Sequence, residues 1–129
     1  MSAPSTRSSV TSADEAVTML LTLVRIGARA ADAHDAAKVR REAEAEWRAA
    51  LTDWKAAHGI RDRIKADDPL ALCMFEEVGA SPAGVALRCA QRDEKNARAR
   101  LERVIRNVPL ATAQALVHGL TGRKPEVVA

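Results

Sequence analysis

Apolar positions along this chain recur three and four residues apart, and stretches that alternate in twos are almost absent. From Ala13 to Ala31, residues Thr18, Thr22, Arg25 and Arg29 trace one narrow polar stripe on an otherwise apolar cylinder. A helix wetted along a single stripe is buried on most sides, at the centre of a bundle or in a dimer interface. The pattern predicts a first helix opened by Ser12 and Glu15, which stand at the capping-box interval. Its residues Val17, Leu20, Leu21, Leu23 and Val24 are candidates for self-association. Gly27, Ala28, Ala30 and Ala31 are small enough to let a neighbouring backbone approach closely. Asp32 or Asp35 is placed to cap a second helix, and one unbroken helix over 13–58 is the alternative.

The second predicted helix, about 35–66, carries Trp47, Leu51 and Trp54 on one side with Ala43, Ala50, Ala57 and His58. That spacing marks a packing seam, and in a chain with one Phe and no Tyr the two tryptophans offer its largest apolar surfaces. Gly59 is placed to break or kink the helix, with Ile60 and Ile64 starting a new face. Asp68 followed by Pro69 reads as a cap and first position for a short third helix over 69–78, ending at Gly79. Ser81 and Pro82 repeat the device for a fourth helix over 82–107, which Asn107-Val108-Pro109 ends. A short fifth helix follows over 110–118.

On the fourth helix Leu87, Ala90, Ala97, Leu101, Val104 and Val108 keep the alternating three-and-four spacing of a coiled-coil seam, interrupted by Glu94. Arg88, Arg92, Lys95, Arg103 and Arg106 fall on the opposite side. This row extends about 27 Å at the helical rise of about 1.5 Å per residue. The net charge of +3 conceals the row, because residues 67–80 hold four acids and no base while 81–108 hold seven bases and three acids. Five cations in a row suit an anionic partner such as a phosphate backbone. The structural alternative is a solvated face whose arginines pair with Glu42, Glu44, Glu46 and Asp53 of the second helix. No aromatic residue interleaves the row, which argues against stacking on single-stranded bases.

The stretch "EEVGASPAGV" is locally similar to the turn of helix-turn-helix proteins, over about twenty residues from Leu70 to Cys89. That resemblance implies a recognition helix after Gly79. Phe75 stands where such motifs place a small residue and Arg88 where they place an aliphatic one, so the close packing of the two helices is put in doubt. Gly79 as a helix end and Ser81-Pro82 as a helix start explain the same letters without nucleic acid.

Composition settles the class. Hydrophobic residues make up 47% and aromatics 2%, so the apolar mass is Ala, Leu and Val beside Arg and Glu, a mixture that favours helices. The fold expected is all-α: a compact bundle of four to five helices in which the second and fourth form a long antiparallel hairpin. Residues 1–12 are expected as a disordered polar arm, 13–122 as a single helical-bundle domain and 123–129 as a tail. Cys73 and Cys89 have no CxxC spacing and read as reduced core residues. His34, His58 and His118 are isolated, and Asp67, Asp68, Glu76 and Glu77 read as caps and solvated acids. No metal, cofactor or catalytic residues are expected.

The reading is therefore a small non-enzymatic regulatory, adaptor or assembly protein, soluble and cytoplasmic, with no membrane segment. It acts through contacts with another protein and through self-association as a homodimer. Nucleic-acid binding by the basic face of helix 82–107 is the alternative. The Ala/Arg-heavy composition points by association to a bacterial or phage source.

Overall fold

The computed structural model describes the backbone over residues 4–121 and side chains over 12–119. It holds four helices and, among the described residues, no strand: α1 (Pro4–Ala57), α2 (Pro69–Ala80), α3 (Pro82–Arg106) and α4 (Leu110–Thr121). The fold class is all-α. The expected first and second helices are one continuous helix. Ser12, Asp32 and Asp35 lie inside α1 and start no helix, because each costs only about half a kcal/mol in a helix interior and no Gly or Pro enforces a break. Helical backbone also reaches into the stretch expected as an arm; side chains 1–11 and the tail 123–129 lie outside the described residues.

α1 ends where glycine permits it. Gly59 adopts φ +67°, and Ile60 N donates to Lys55 O at 2.9 Å while Gly59 N donates to Ala56 O at 3.1 Å. This closes the helix in a Schellman-type cap. The expected continuation to residue 66 is therefore absent, and Ile60 and Ile64 sit in the connecting segment rather than on a new helical face.

α2 opens as its residues dictate. Asp68 accepts a hydrogen bond from Leu70 N at 2.9 Å, and Pro69 takes the first position. It continues through Gly79 to Ala80, so the joint to α3 is the single residue Ser81, with the two helix axes bent by 75°. Ser81 ends one helix and starts the next. Its N–H donates to Val78 O at 3.1 Å, its hydroxyl also donates to Val78 O, and its Oγ receives Gly84 N at 3.4 Å. α3 ends at Arg106, and Pro109 separates it from α4.

The described helices form two compact units: residues 31–99, and the start of α1 through Ala30 with the described chain from Arg100 onward. In the first, the buried residues are Ala43 of α1, Ala71, Met74 and Val78 of α2, and Gly84, Ala90, Glu94 and Ala97 of α3. This core is built mostly from small side chains. Trp47, Leu51 and Trp54 are half-buried along its edge, whereas Ala57 and His58, expected on the same seam, are exposed. Cys73 and Cys89 are free, but both are exposed and neither belongs to the core.

In the second unit, α1 turns Met19, Thr22 and Ile26 inward, all half-buried, and Leu101, Val104 and Val108 are half-buried as well. The expected arrangement holds only in part: Thr18, Arg25 and Arg29 of the polar stripe are exposed, but the apolar residues around them are not all buried. Thr22 of the polar stripe faces in, its hydroxyl satisfied by Thr18 O at 2.7 Å, while the leucines and valines face out.

Candidate functional site

The outward face of α1 carries an exposed apolar group in the second unit. Val17, Leu20, Leu21, Leu23 and Val24 are 45–65% exposed, within eight consecutive residues. An inward face of Met19, Thr22 and Ile26 leaves these neighbours pointing away, since consecutive residues on a helix are about 100° apart. The five proposed from the pattern thus do share one region, but nothing described in the chain covers them. Near the inward side, a cleft of about 320 Å³ is lined by Asp14, Thr18 and Met19 of α1 with Ala111, Thr112 and Ala115 of α4.

The basic row lies on α3 and is exposed throughout. Arg88 is engaged: it donates to Gly79 O at 2.7 Å and so closes the C-terminal end of α2. Arg92 lies 3.7 Å from the neighbouring Asp93, both well exposed, a separation at which little attraction survives in water. Lys95, Arg103 and Arg106 make no ion pair among the described residues. Among the described residues no cation of the row pairs with Glu42, Glu44, Glu46 or Asp53, and Glu44 is instead taken within α1 by Arg40 at 2.7 Å.

One cluster escaped the sequence reading. Glu94, the interruption in the α3 seam, is buried at 5% exposure between two arginines. Arg40 Nε of α1 donates to its Oε2, and Arg98, one turn further along α3, donates to its Oε1 at 2.8 Å. Arg40 also donates to Glu44 at 2.7 Å, so one guanidinium bridges both helices. These bonds, the one to Glu94 first, push the Arg40 guanidinium above its ordinary value. A raised basic pKa adds stability that is present below the unfolded value and lost only as pH climbs through the folded one. For arginine both lie in the strongly alkaline range, so this contribution is constant near neutrality. A buried charge answered from both sides fixes which level of α1 faces which level of α3. Glu94→Ala removes these charge-assisted bonds and is expected to destabilise the chain by about 2 kcal/mol, read as a lower urea midpoint. An unchanged midpoint would show that the cluster carries no net stabilisation.

The tryptophan seam is also tied to α2. Trp54 Nε1 donates to Glu77 Oε2 at 2.6 Å, and His58 stacks on Trp54 with ring centres 3.9 Å apart. Trp47 stacks on Phe75 at 6.5 Å. These contacts account for the two departures from the helix-turn-helix pattern. Phe75 turns toward Trp47 of α1 and Arg88 reaches back over α2, so neither fills the angle between α2 and α3. A one-residue joint is also shorter than the three or four residues of that motif.

Beside α2, a cleft of about 730 Å³ is lined by Arg63, Ile64, Lys65, Ala71, Met74 and Phe75, and Leu70, Leu72 and Phe75 expose apolar surface. Among the described residues, no three His, Cys, Asp or Glu side chains converge on a point that would hold a metal. Asp68 and Glu77 are occupied in capping α2 and holding Trp54. No single helix among them is long and apolar enough to cross a membrane. Compared with known protein families, with characterised proteins and with solved structures, the chain matches none.

Proposed function

We propose that this chain is a non-enzymatic helical assembly or adaptor protein of the cytoplasm that self-associates as a homodimer through the outward face of α1 and there presents itself to a protein partner. The observation that carries this reading is the exposed group Val17, Leu20, Leu21, Leu23 and Val24. Together these side chains leave roughly 500 Å² of apolar surface in water, at the upper end of what a monomer exposes in one patch. Burying it against a second chain releases about 25 cal/mol for each Å², which makes the uncovered state the costly one. The free thiols of Cys73 and Cys89 suit a reducing compartment.

A long antiparallel hairpin between the later part of α1 and α3 belongs to the same reading. Trp54 meets Glu77 just before α3 begins, whereas Arg40, earlier in α1, meets Glu94 well along α3. Stepping back along one helix while stepping forward along the other is what antiparallel packing requires. The hairpin leaves the outward face of the remainder of α1 to the second chain. Light scattering tests the proposal: the molar mass should approach 27.8 kDa, twice 13.9 kDa, as concentration rises. A mass of 13.9 kDa at every concentration would remove it.

A second reading rests on a separate observation. Lys95, Arg103 and Arg106 are without acidic partners among the described residues, so their charge is available to a polyanion. If α3 binds a nucleic-acid backbone, Arg92→Glu with Arg103→Glu should abolish an affinity that falls about tenfold or more between low and physiological salt. An affinity untouched by the charge reversal would end this reading.

A further inference from the structure

The proposed α1 contact has an internal order that indicates how two copies meet. Ala13, Val17, Leu20, Val24 and Gly27 are all exposed and stand four, three, four and three residues apart. This is the seam of a two-helix coiled coil, with Leu21 along one edge and Leu23 along the other. It is graded in size. Its middle carries Leu20 and Val24, its start Val17 and its end Gly27, where no side chain exists.

Gly27 requires an explanation that its own chain does not supply. A glycine inside a helix costs about 1 kcal/mol relative to alanine. Yet a Cβ built at Gly27 meets no atom of the described residues within 4 Å, so none of them requires the space. A small residue on an outward apolar seam is accounted for if something from outside occupies that space.

We propose that the occupant is Val17 of a second copy, and that the two α1 helices cross antiparallel about a two-fold axis at the level of Thr22. This rests on the self-association reading above and adds the arrangement to it. In parallel pairing each seam residue meets its own equivalent. Val17 then opposes Val17 and Gly27 opposes Gly27, which leaves one layer with no side chains. In antiparallel pairing the layers become Val17 with Gly27, Leu20 with Val24, and the same two in reverse order. Each of the four layers between Val17 and Gly27 then holds at least one branched side chain. Facing large against small is what lets a core fill without voids. A face that complements itself under two-fold rotation is also what a closed homodimer needs. Leu21 meets Leu21 of the other copy along one edge and Leu23 meets Leu23 along the other. With the exposed Ala13, Ala16 and Ala28 that flank it, the patch of roughly 500 Å² approaches the roughly 800 Å² per partner of a standard interface.

Cysteine pairing tests the arrangement. In a background with Cys73→Ser and Cys89→Ser, Val17→Cys and Gly27→Cys are made separately, and circular dichroism confirms that each remains helical. Two copies of residue 17 lie about 15 Å apart along the axis in the antiparallel pair, at about 1.5 Å per residue. A disulfide needs Cα atoms within about 7 Å. Each variant alone should therefore cross-link poorly under mild oxidation, and a mixture after subunit exchange should form about ten times more disulfide-linked dimer. Leu20→Cys mixed with Val24→Cys should repeat the gain at the next layer if either first variant fails to fold. A dimer-sized chain in which Val17→Cys links to itself would overturn the antiparallel arrangement and leave self-association standing. A monomeric mass with no cross-linking in any arm would overturn both.

Discussion

Leu20→Glu combined with Leu23→Glu is expected to yield a folded helical monomer whose melting temperature no longer depends on concentration. Both positions are exposed in the single chain, so the substitutions disturb no described contact of its own core. Their effect falls on the partner. Each leucine buried between chains contributes about 1.5–3 kcal/mol, and a two-fold contact counts every residue twice. The loss is therefore at least about 6 kcal/mol, or roughly four decades in dissociation constant. Four carboxylates near the axis add like-charge repulsion. For the unaltered chain, association raises the melting temperature as protein is added, because a partner that binds only the folded state stabilises it by mass action. The signature is thus a slope that disappears. Equal concentration dependence in both proteins would show that the α1 face has no part in association.

Gly84→Ala is expected to be the most damaging small substitution in the chain. Gly84 lies in the first turn of α3, where the 75° joint brings it against the last turn of α2. A Cβ there would lie 2.6 Å from Val78 O and 2.7 Å from Gly79 C, and it would also collide with Gly79 O. All three are backbone atoms and cannot rotate aside as a side chain would. The corner must open, which disturbs the Ser81 cap and the reach of Arg88 to Gly79. Overpacking of this kind costs about 3 kcal/mol, which corresponds to a melting temperature lower by roughly 10 °C. The same change at Gly119 of α4, outside the proposed contact, has open space, so the pair of variants separates steric cost from any general effect of adding a methyl group. A Gly84→Ala protein as stable as the parent would contradict the tight corner.

The elements that were legible in the sequence are those whose ends are set by local chemistry. Asp68-Pro69, Ser81-Pro82, Gly59 and Asn107-Val108-Pro109 each fix a boundary by a cap, a locked φ or a left-handed residue, and each holds. The seam of α3 was legible because the three-and-four period survives burial. At 31–35 the unbroken alternative is the one that forms, because Asp32 and Asp35 can cap a helix but do not compel one, and nothing else there stops it. Periodicity also finds stripes without saying which stripe faces in. On α1 both choices leave a contrast between polar and apolar, and the inward face proved to include Thr22. The Arg40–Glu94–Arg98 cluster was invisible for a different reason. Its partners lie 54 residues apart, and a lone glutamate in a seam signals an inward carboxylate without naming the guanidinium that answers it.

The account turns on whether a second chain covers Val17 to Val24. Sedimentation equilibrium on the parent chain and the Leu20→Glu/Leu23→Glu variant, side by side at equal concentration, measures this directly. The masses predicted are 27.8 kDa, twice the single chain, for the parent and 13.9 kDa for the variant. Two equal masses, whether both single or both double, would contradict it.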